Sequence, residues 1–265
     1  MIRLAAVQLE SSRDKRENLN KMRKWVGKIS KFKPDLIVFP EEYVFYSVDE
    51  PSKTIYRKAE SLEGPWVRSV ARIAKDHNTS IVVGTYEREE KSKRVFNTTV
   101  YVDSNGEVQH AYRKTHLYDA FDYKESSEVA PGDGPLSLVT LKDIKFGLCV
   151  CYEVRFPEVA RTYALAGADL LVIPTAWVRG LLKEEHLLAM AKARSIENTM
   201  YVAISALIGG IYTGISAIFD PMGVPICRAS DVESFIIGDI DKRRITEVRT
   251  RLPLLNQRRS NLYKL

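Results

Sequence analysis

Cys151 follows the apolar run Phe146-Gly147-Leu148-Cys149-Val150 and precedes Tyr152-Glu153-Val154-Arg155 and then Phe156-Pro157. Proline is pre-organised for the first turn of a helix, so this cysteine falls at an elbow between a strand and a helix start. A side chain at such an elbow is exposed, and the backbone N–H groups beside it, that of Tyr152 first, can serve an oxyanion. A helix N-terminus also favours thiolate over thiol. The chemistry on offer is attack on a carbonyl carbon, which needs a base for the thiol proton and a positive group for the developing oxyanion. Glu41 and Glu42, directly after Phe39-Pro40, both qualify as the base, and the local sequence does not choose between them. Lys114, in Tyr112-Arg113-Lys114-Thr115-His116-Leu117, qualifies as the positive group. Each has a plainer reading when taken alone. A cysteine in an apolar strand is packing, a glutamate after a strand is a surface or capping residue, and a lysine opening a loop is solvated. Cys149 and Cys227 keep that plainer reading.

The elements that must position these residues follow from periodicity. Ile2 to Leu9 reads as a buried strand, and Leu19, Met22, Val26 and Ile29 recur at helical spacing between Asp14 and Phe32. Asp35 to Phe39 is a second strand, stopped by Pro40, which completes the βαβ unit of a parallel sheet. Pro65 opens a helix to about His77, Ser80 to Tyr86 is a strand, and strands Val95–Val102 and Glu107–Tyr112 flank the turn Asp103-Ser104-Asn105-Gly106. His116 to Gly134 is a polar, unpatterned loop, of a length more often functional than idle. The pattern then restarts with strand Lys145–Cys151, helix Pro157–Ala166 and strand Asp169–Ile173, stopped by Pro174. Helix Lys183–Asn198 and strands near Met200–Ala206, Ile215–Phe219 and Phe235–Ile240 follow. Pro34-Asp35-Leu36-Ile37-Val38-Phe39-Pro40 and Ala168-Asp169-Leu170-Leu171-Val172-Ile173-Pro174 read as one segment used twice. Two such halves without a linker predict one α/β domain of two sheets packed face to face, with helices outside. Ligands sit at the carboxyl ends of parallel strands. Glu41 and Glu42, Cys151, and Thr175 stand there, and Thr175 with Ala176 and Trp177 after it is assigned to substrate binding.

Composition narrows the function classes. The 265 residues are 45% hydrophobic and 28% charged, which argues against disorder and low-complexity chains. No apolar run approaches the roughly 18 residues of a membrane-spanning helix, and Leu4 to Leu9 is too short for a signal peptide's apolar region of about 7–15 residues. Three cysteines without a Cys-x-x-Cys, and four histidines without zinc-ligand spacing, predict a reducing compartment and no metal. The expectation is a soluble, cytoplasmic protein without a membrane partner. Net charge is +6, with Lys242, Arg243, Arg244, Arg249, Arg251, Arg258 and Arg259 clustered late. No aromatic residues interleave with that cluster, so it reads as a solvated helix and tail or a subunit contact rather than a nucleic-acid surface. Dinucleotide, Walker, serine-elbow and zinc-protease motifs do not occur.

Several motifs in order make the combination specific. Phe39-Pro40-Glu41, Arg113-Lys114-Thr115-His116-Leu117 and Cys151-Tyr152-Glu153-Val154-Arg155-Phe156-Pro157-Glu158 are joined by Tyr123-Lys124-Glu125-Ser126 with Pro131-Gly132-Asp133. Arg194-Ser195-Ile196-Glu197-Asn198, Gly214-Ile215-Ser216 and Asp220-Pro221-x-Gly223 come later. In these motifs the chain resembles the nitrilase superfamily of carbon–nitrogen hydrolases, from the first strand to about Asp241. The resemblance implies a four-layer αββα sandwich of two mixed sheets in residues 1–241, with residues 242–265 as an extension toward a subunit contact. It implies Cys151 as nucleophile, Glu41 rather than Glu42 as base, and Lys114 with the Tyr152 N–H as oxyanion stabilisers. Glu125 is the second glutamate that positions the lysine, and His116 and Arg155 are scaffold or substrate-facing. No cofactor is implied, and a homodimer or larger homo-oligomer is. The Cys-Tyr-Glu elbow resembles the amidase branches, although most of those carry aspartate where Glu153 stands. The expected activity is hydrolysis of a small non-peptide amide, such as an ω-amide of a dicarboxylic acid, to acid and ammonia through a thioester. N-carbamoyl amino acid hydrolysis and nitrile hydrolysis are alternatives within the family, and a non-enzymatic scaffold or nucleic-acid binder lies outside it.

Overall fold

In the computed structural model, which describes residues 1–263, the first strand already shows how the layers arise. In β1 (Ile2–Gln8), Ile2, Leu4 and Ala6 belong to one packed cluster and Ala5 and Val7 to another, all fully buried. A strand apolar on both faces must be covered on both. Helix α1 (Lys15–Ile29) covers one of them. Asp14 caps it by accepting the Arg16 N–H, and Met22, Val26 and Ile29 form its buried stripe.

The first sheet continues with β2 (Leu36–Val38) and β3 (Ser80–Glu89), both parallel to β1. Then come β4 (Arg94–Val102) and β5 (Val108–Arg113), each antiparallel to its predecessor. Helices α2 (Ser52–Lys58) and α3 (Pro65–Asp76) lie between β2 and β3, and α3 packs Trp66, Val70, Ile73 and Ala74 into the α1 layer. The stretch His116 to Gly134, expected to be unpatterned, folds as a short ribbon of β6 (Asp119–Ala120) and β7 (Tyr123–Lys124), followed by a 3-10 turn at Glu125–Ser127.

The second sheet takes β8 (Val139–Leu141), β9 (Ile144–Leu148), β10 (Leu170–Thr175) and β11 (Tyr201–Ala206), with α4 (Pro157–Leu165) and α5 (Lys183–Asn198) as crossovers. A second ribbon, β12 (Ile208–Gly209) with β13 (Tyr212–Thr213), precedes β14 (Ala217–Phe219) and β15 (Pro225–Arg228). The chain then returns to the first sheet as β16 (Ser234–Ile240), antiparallel to β1, and ends in α6 (Lys242–Arg251). The strand orders are β16-β1-β2-β3-β4-β5 and β8-β9-β10-β11-β14-β15. Each sheet thus has an antiparallel edge strand, three parallel strands and two more antiparallel ones. The segment used twice in the sequence supplies β2 and β10, which hold the same place in the two sheets. Leu4, Ala6, Leu36 and Val38 share one cluster with Leu148, Val172 and Ile204 of the opposite sheet, and Tyr163 and Leu187 bring α4 and α5 into it. The α–β–β–α sandwich forms as expected.

Pro174 corrects one expectation, since β10 runs through it to Thr175. The Val172 carbonyl faces β9 and accepts the Cys149 N–H, whereas the Thr175 carbonyl faces β11 and accepts the Leu207 N–H. Alternation turns residue 174 toward the β9 side, where β9 has already ended, so the missing N–H leaves no ladder bond unmade. In α6, Ile245 and Val248 are buried, Arg244 binds Asp220, and Arg249 donates to the Thr199 and Ala168 carbonyls. No helix among the described residues is long and apolar enough to cross a membrane.

Candidate active site

The carboxyl ends of β2, β5, β9 and β10 open onto one cavity of about 800 Å³, which Glu41, Lys114, Glu125, Cys151, Ala176 and Trp177 help to line. The volume is that of a small-molecule site.

Cys151 begins a 3-10 turn, Cys151–Arg155, with φ at 48°. That left-handed conformation costs a residue with a Cβ roughly 1–2 kcal/mol. Glu153 holds the turn against this cost. Its fully buried carboxylate accepts the Val150 N–H at 2.8 Å, the Thr115 N–H and hydroxyl at 2.7 Å each, and the Tyr112 hydroxyl at 2.8 Å. The nucleophile turn is thereby tied to the segment that carries Lys114. Burial alone would raise the Glu153 carboxyl, but His116, Thr115 and the Val150 amide outweigh it and hold it below the usual glutamate range.

Lys114 is buried, and its Nζ lies 3.0 Å from Glu41 Oε1 and 2.9 Å from Glu125 Oε2. Burial opposes its charge, yet Glu125 and Glu41 keep it protonated, well above the ordinary lysine range. The Glu41 carboxylate is fixed at its other oxygen by the Ala176 N–H at 2.7 Å, and Glu125 Oε2 also accepts the Tyr118 N–H at 2.6 Å. Asn97 Nδ2 completes the network with bonds of 2.8 Å to Glu41 and 3.3 Å to Glu125. The Glu41, Glu42 and Glu125 carboxylates come within 4.8 Å of one another, the usual makings of a cation site, and the Lys114 ammonium is the cation bonded among them.

Two glycines permit this crowding. A Cβ at Gly84 would stand 2.3 Å from the Glu42 nitrogen and 2.7 Å from Glu41 Cα, so β3 must be bare where the Glu41 segment crosses it. A Cβ at Gly132 would stand 2.3 Å from the Arg113 carbonyl, and the Gly132 N–H instead donates to the Lys114 carbonyl at 2.8 Å.

The elbow does not deliver a resting thiolate, as the helix-start argument expected. Burial and the Glu41 charge push the Cys151 thiol well above its usual range, against the opposing pull of Lys114. The resting group is therefore the thiol rather than the thiolate. Tyr152 follows in the first turn, where N–H groups have no intrahelical partner.

Ala176 and Trp177 line the cavity, whereas Thr175, expected there with them, is fully buried and its hydroxyl has no hydrogen-bond partner among the described residues. Sequence reasoning missed Asn97, the structural weight of Glu153, and Lys183. An asparagine inside a strand of β-branched and aromatic residues was a usable signal, because strands are depleted in it. Lys183 Nζ lies 3.6 Å from the centroid of the Phe121 ring and donates to the Tyr118 hydroxyl at 2.8 Å. Arg155 stacks 4.1 Å from the centroid of the Trp177 ring, and its buried Nη2 has no partner. Both cations line the cavity, and neither has a carboxylate partner among the described residues.

Comparison with known proteins agrees with this picture. Residues 3–250 match the carbon-nitrogen hydrolase family. The chain is 36% identical over 224 residues to the deaminated glutathione amidase of Escherichia coli O157:H7, covering 84% of each chain. It is 29% identical to the omega-amidase NIT2 of Mus musculus, covering 98% of this chain and 96% of that one. The crystal structure of Saccharomyces cerevisiae Nit3, a member of branch 10 of the nitrilase superfamily, superposes with a TM-score of 0.86 at 26% identity, over 97% of this chain and 96% of that one.

Proposed function

The chain belongs to the carbon–nitrogen hydrolase family, and from that premise we propose that it hydrolyses a small, non-peptide amide bearing a carboxylate, through a thioester on Cys151. The observation that carries the mechanism is the single Lys114 ammonium held between Glu41 and Glu125 in the cavity that Cys151 also lines. Glu41 takes the thiol proton as sulfur attacks the amide carbon, and Lys114 with the Tyr152 N–H receives the charge that develops on oxygen. Glu41 passes the proton to the leaving nitrogen, ammonia departs, and the acyl group stays on sulfur. Water, activated by the same carboxylate, then releases the acid and restores the thiol. Glu125 holds Lys114 in place from the opposite side.

Arg155 and Lys183 support the carboxylate. Two cations without carboxylate partners in a cavity wall match an anionic end of the substrate, and a planar guanidinium suits it in particular. An ω-amide of a dicarboxylic acid has both required ends, and similar proteins carry the names omega-amidase and deaminated glutathione amidase. Ammonia release from ω-amides, aliphatic amides, N-carbamoyl amino acids and nitriles tests the assignment. The ω-amides should lead, and Arg155→Met should raise their KM about tenfold or more while leaving neutral amides unaffected. A panel led by neutral amides, or an Arg155→Met effect equal for all substrates, contradicts the carboxylate.

A further inference from the structure

Glu42 is an ionisable group in the cavity wall that this reaction does not use. It stands beside Glu41 with φ at 54°, over the bare backbone of Gly84. Asn97 Nδ2 lies 3.1 Å from Glu42 Oε1 and 2.8 Å from Glu41 Oε1, so one amide group clamps both carboxyls. Lys114 bonds to Glu41 and to Glu125. Three ionised carboxylates around one ammonium would leave two net negative charges in a space of low polarity, so one carboxyl keeps its proton. Glu42 is that one: burial, then the charges of Glu41 and Glu125, push it up to about 8. The other titratable groups facing it are Tyr86 of β3, Tyr123 of β7 and Tyr212 of β13, and burial raises all three, so they stay neutral.

We propose that Glu42 is a positioning residue for the reaction: through the Asn97 amide it aligns the Glu41 carboxylate, and by not competing for Lys114 it leaves that ammonium committed to Glu41 and Glu125. The inference rests on Glu41 serving Cys151 as base. Once ionised, Glu42 competes for Lys114 and adds a negative charge that opposes loss of the thiol proton. Activity then falls as pH rises through the point where Glu42 ionises.

Two readouts test this, one of them free of substrate. The first is kcat and KM for succinamate from about pH 6 to about pH 10. The second is the rate of Cys151 alkylation by iodoacetamide over the same range, followed by intact mass. In the unaltered protein both kcat and the alkylation rate should fall above pH 8, by up to about tenfold per unit. Glu42→Gln, uncharged at every pH but still able to bond Asn97, should lower kcat about threefold at neutral pH and abolish the alkaline fall. Glu42→Leu, which cannot bond Asn97, should lower kcat at least about thirtyfold at all pH values with KM nearly unchanged. An alkaline fall retained in Glu42→Gln, or equal losses in the Gln and Leu variants, overturns the proposal. If no amide is turned over while alkylation shows the Glu42-dependent fall, the inference stands and the assigned reaction is what fails.

Discussion

At the scale of single residues, the site is governed by how burial and hydrogen bonding compete for each charge. Glu153 is fully buried and Glu42 is half-buried in the cavity wall, and they end on opposite sides of the ordinary glutamate range. Glu153 gathers donors from two chain segments, whereas Glu42 has one shared amide and two anionic neighbours. Because the folded protein lowers the Glu153 pKa, this group stabilises the fold above the unfolded value of about 4.3 and loses that contribution as pH falls through its lower folded value. Glu153→Gln should cost about 3 kcal/mol at neutral pH, and its Tm should fall less steeply than that of the unaltered protein between about pH 5 and about pH 3. Thermal melts across that range check the claim, and parallel Tm curves would contradict it. Cys151, Lys114 and the pair Glu41 and Glu42 were legible as candidates because strand ends advertise them, but the choice of Glu41 over Glu42 came from family resemblance. Glu125 entered through family resemblance alone. Asn97 and Glu153 stayed hidden, since their importance lies in partners 28 to 56 and 38 to 41 residues away.

At the scale of elements, the site depends on backbones passing close to one another. Gly84 in β3 lies under the Glu41–Glu42 segment, and no side chain fits between them. Gly84→Ala should displace Glu41 by a few tenths of an ångström or more and, with Glu41 as the proposed base, lower kcat about a hundredfold, with a loss of about 1–3 kcal/mol in stability. Ammonia release and a melt on the same preparation separate the two effects, and turnover within threefold of the unaltered protein would contradict the positioning argument. Long periodic elements were readable: the helices beginning at Lys15, Pro65, Pro157 and Lys183 fall where apolar spacing and proline placed them. The strand through Pro174 was misjudged, because which neighbour each carbonyl faces is a property of the sheet rather than of the segment. The ribbon of β6 and β7 and the edge strands β8 and β15 were missed. They are only two to four residues long, and β6, β7 and β15 are largely exposed, so periodicity has little to act on.

At the scale of the whole molecule, duplication of one sheet pattern explains why the site lies where it does. The first half supplies Glu41 and Lys114, the second supplies Cys151 and the Ala176 N–H, and Glu125 comes from the segment between the two sheets. Face-to-face packing brings these groups together, and the repeated segment in the sequence was the visible trace of that architecture. The return of β16 to the first sheet was not legible, because apolar alternation does not name a strand's partner. Whether Cys151 carries the acyl group, as proposed, is decided by acid quenching during turnover of an ω-amide, followed by mass analysis. An adduct of acyl mass is expected on the peptide containing Cys151 while ammonia accumulates, and neither adduct nor ammonia from a folded Cys151→Ala variant. Ammonia released by that variant at the rate of the unaltered protein would contradict the proposal.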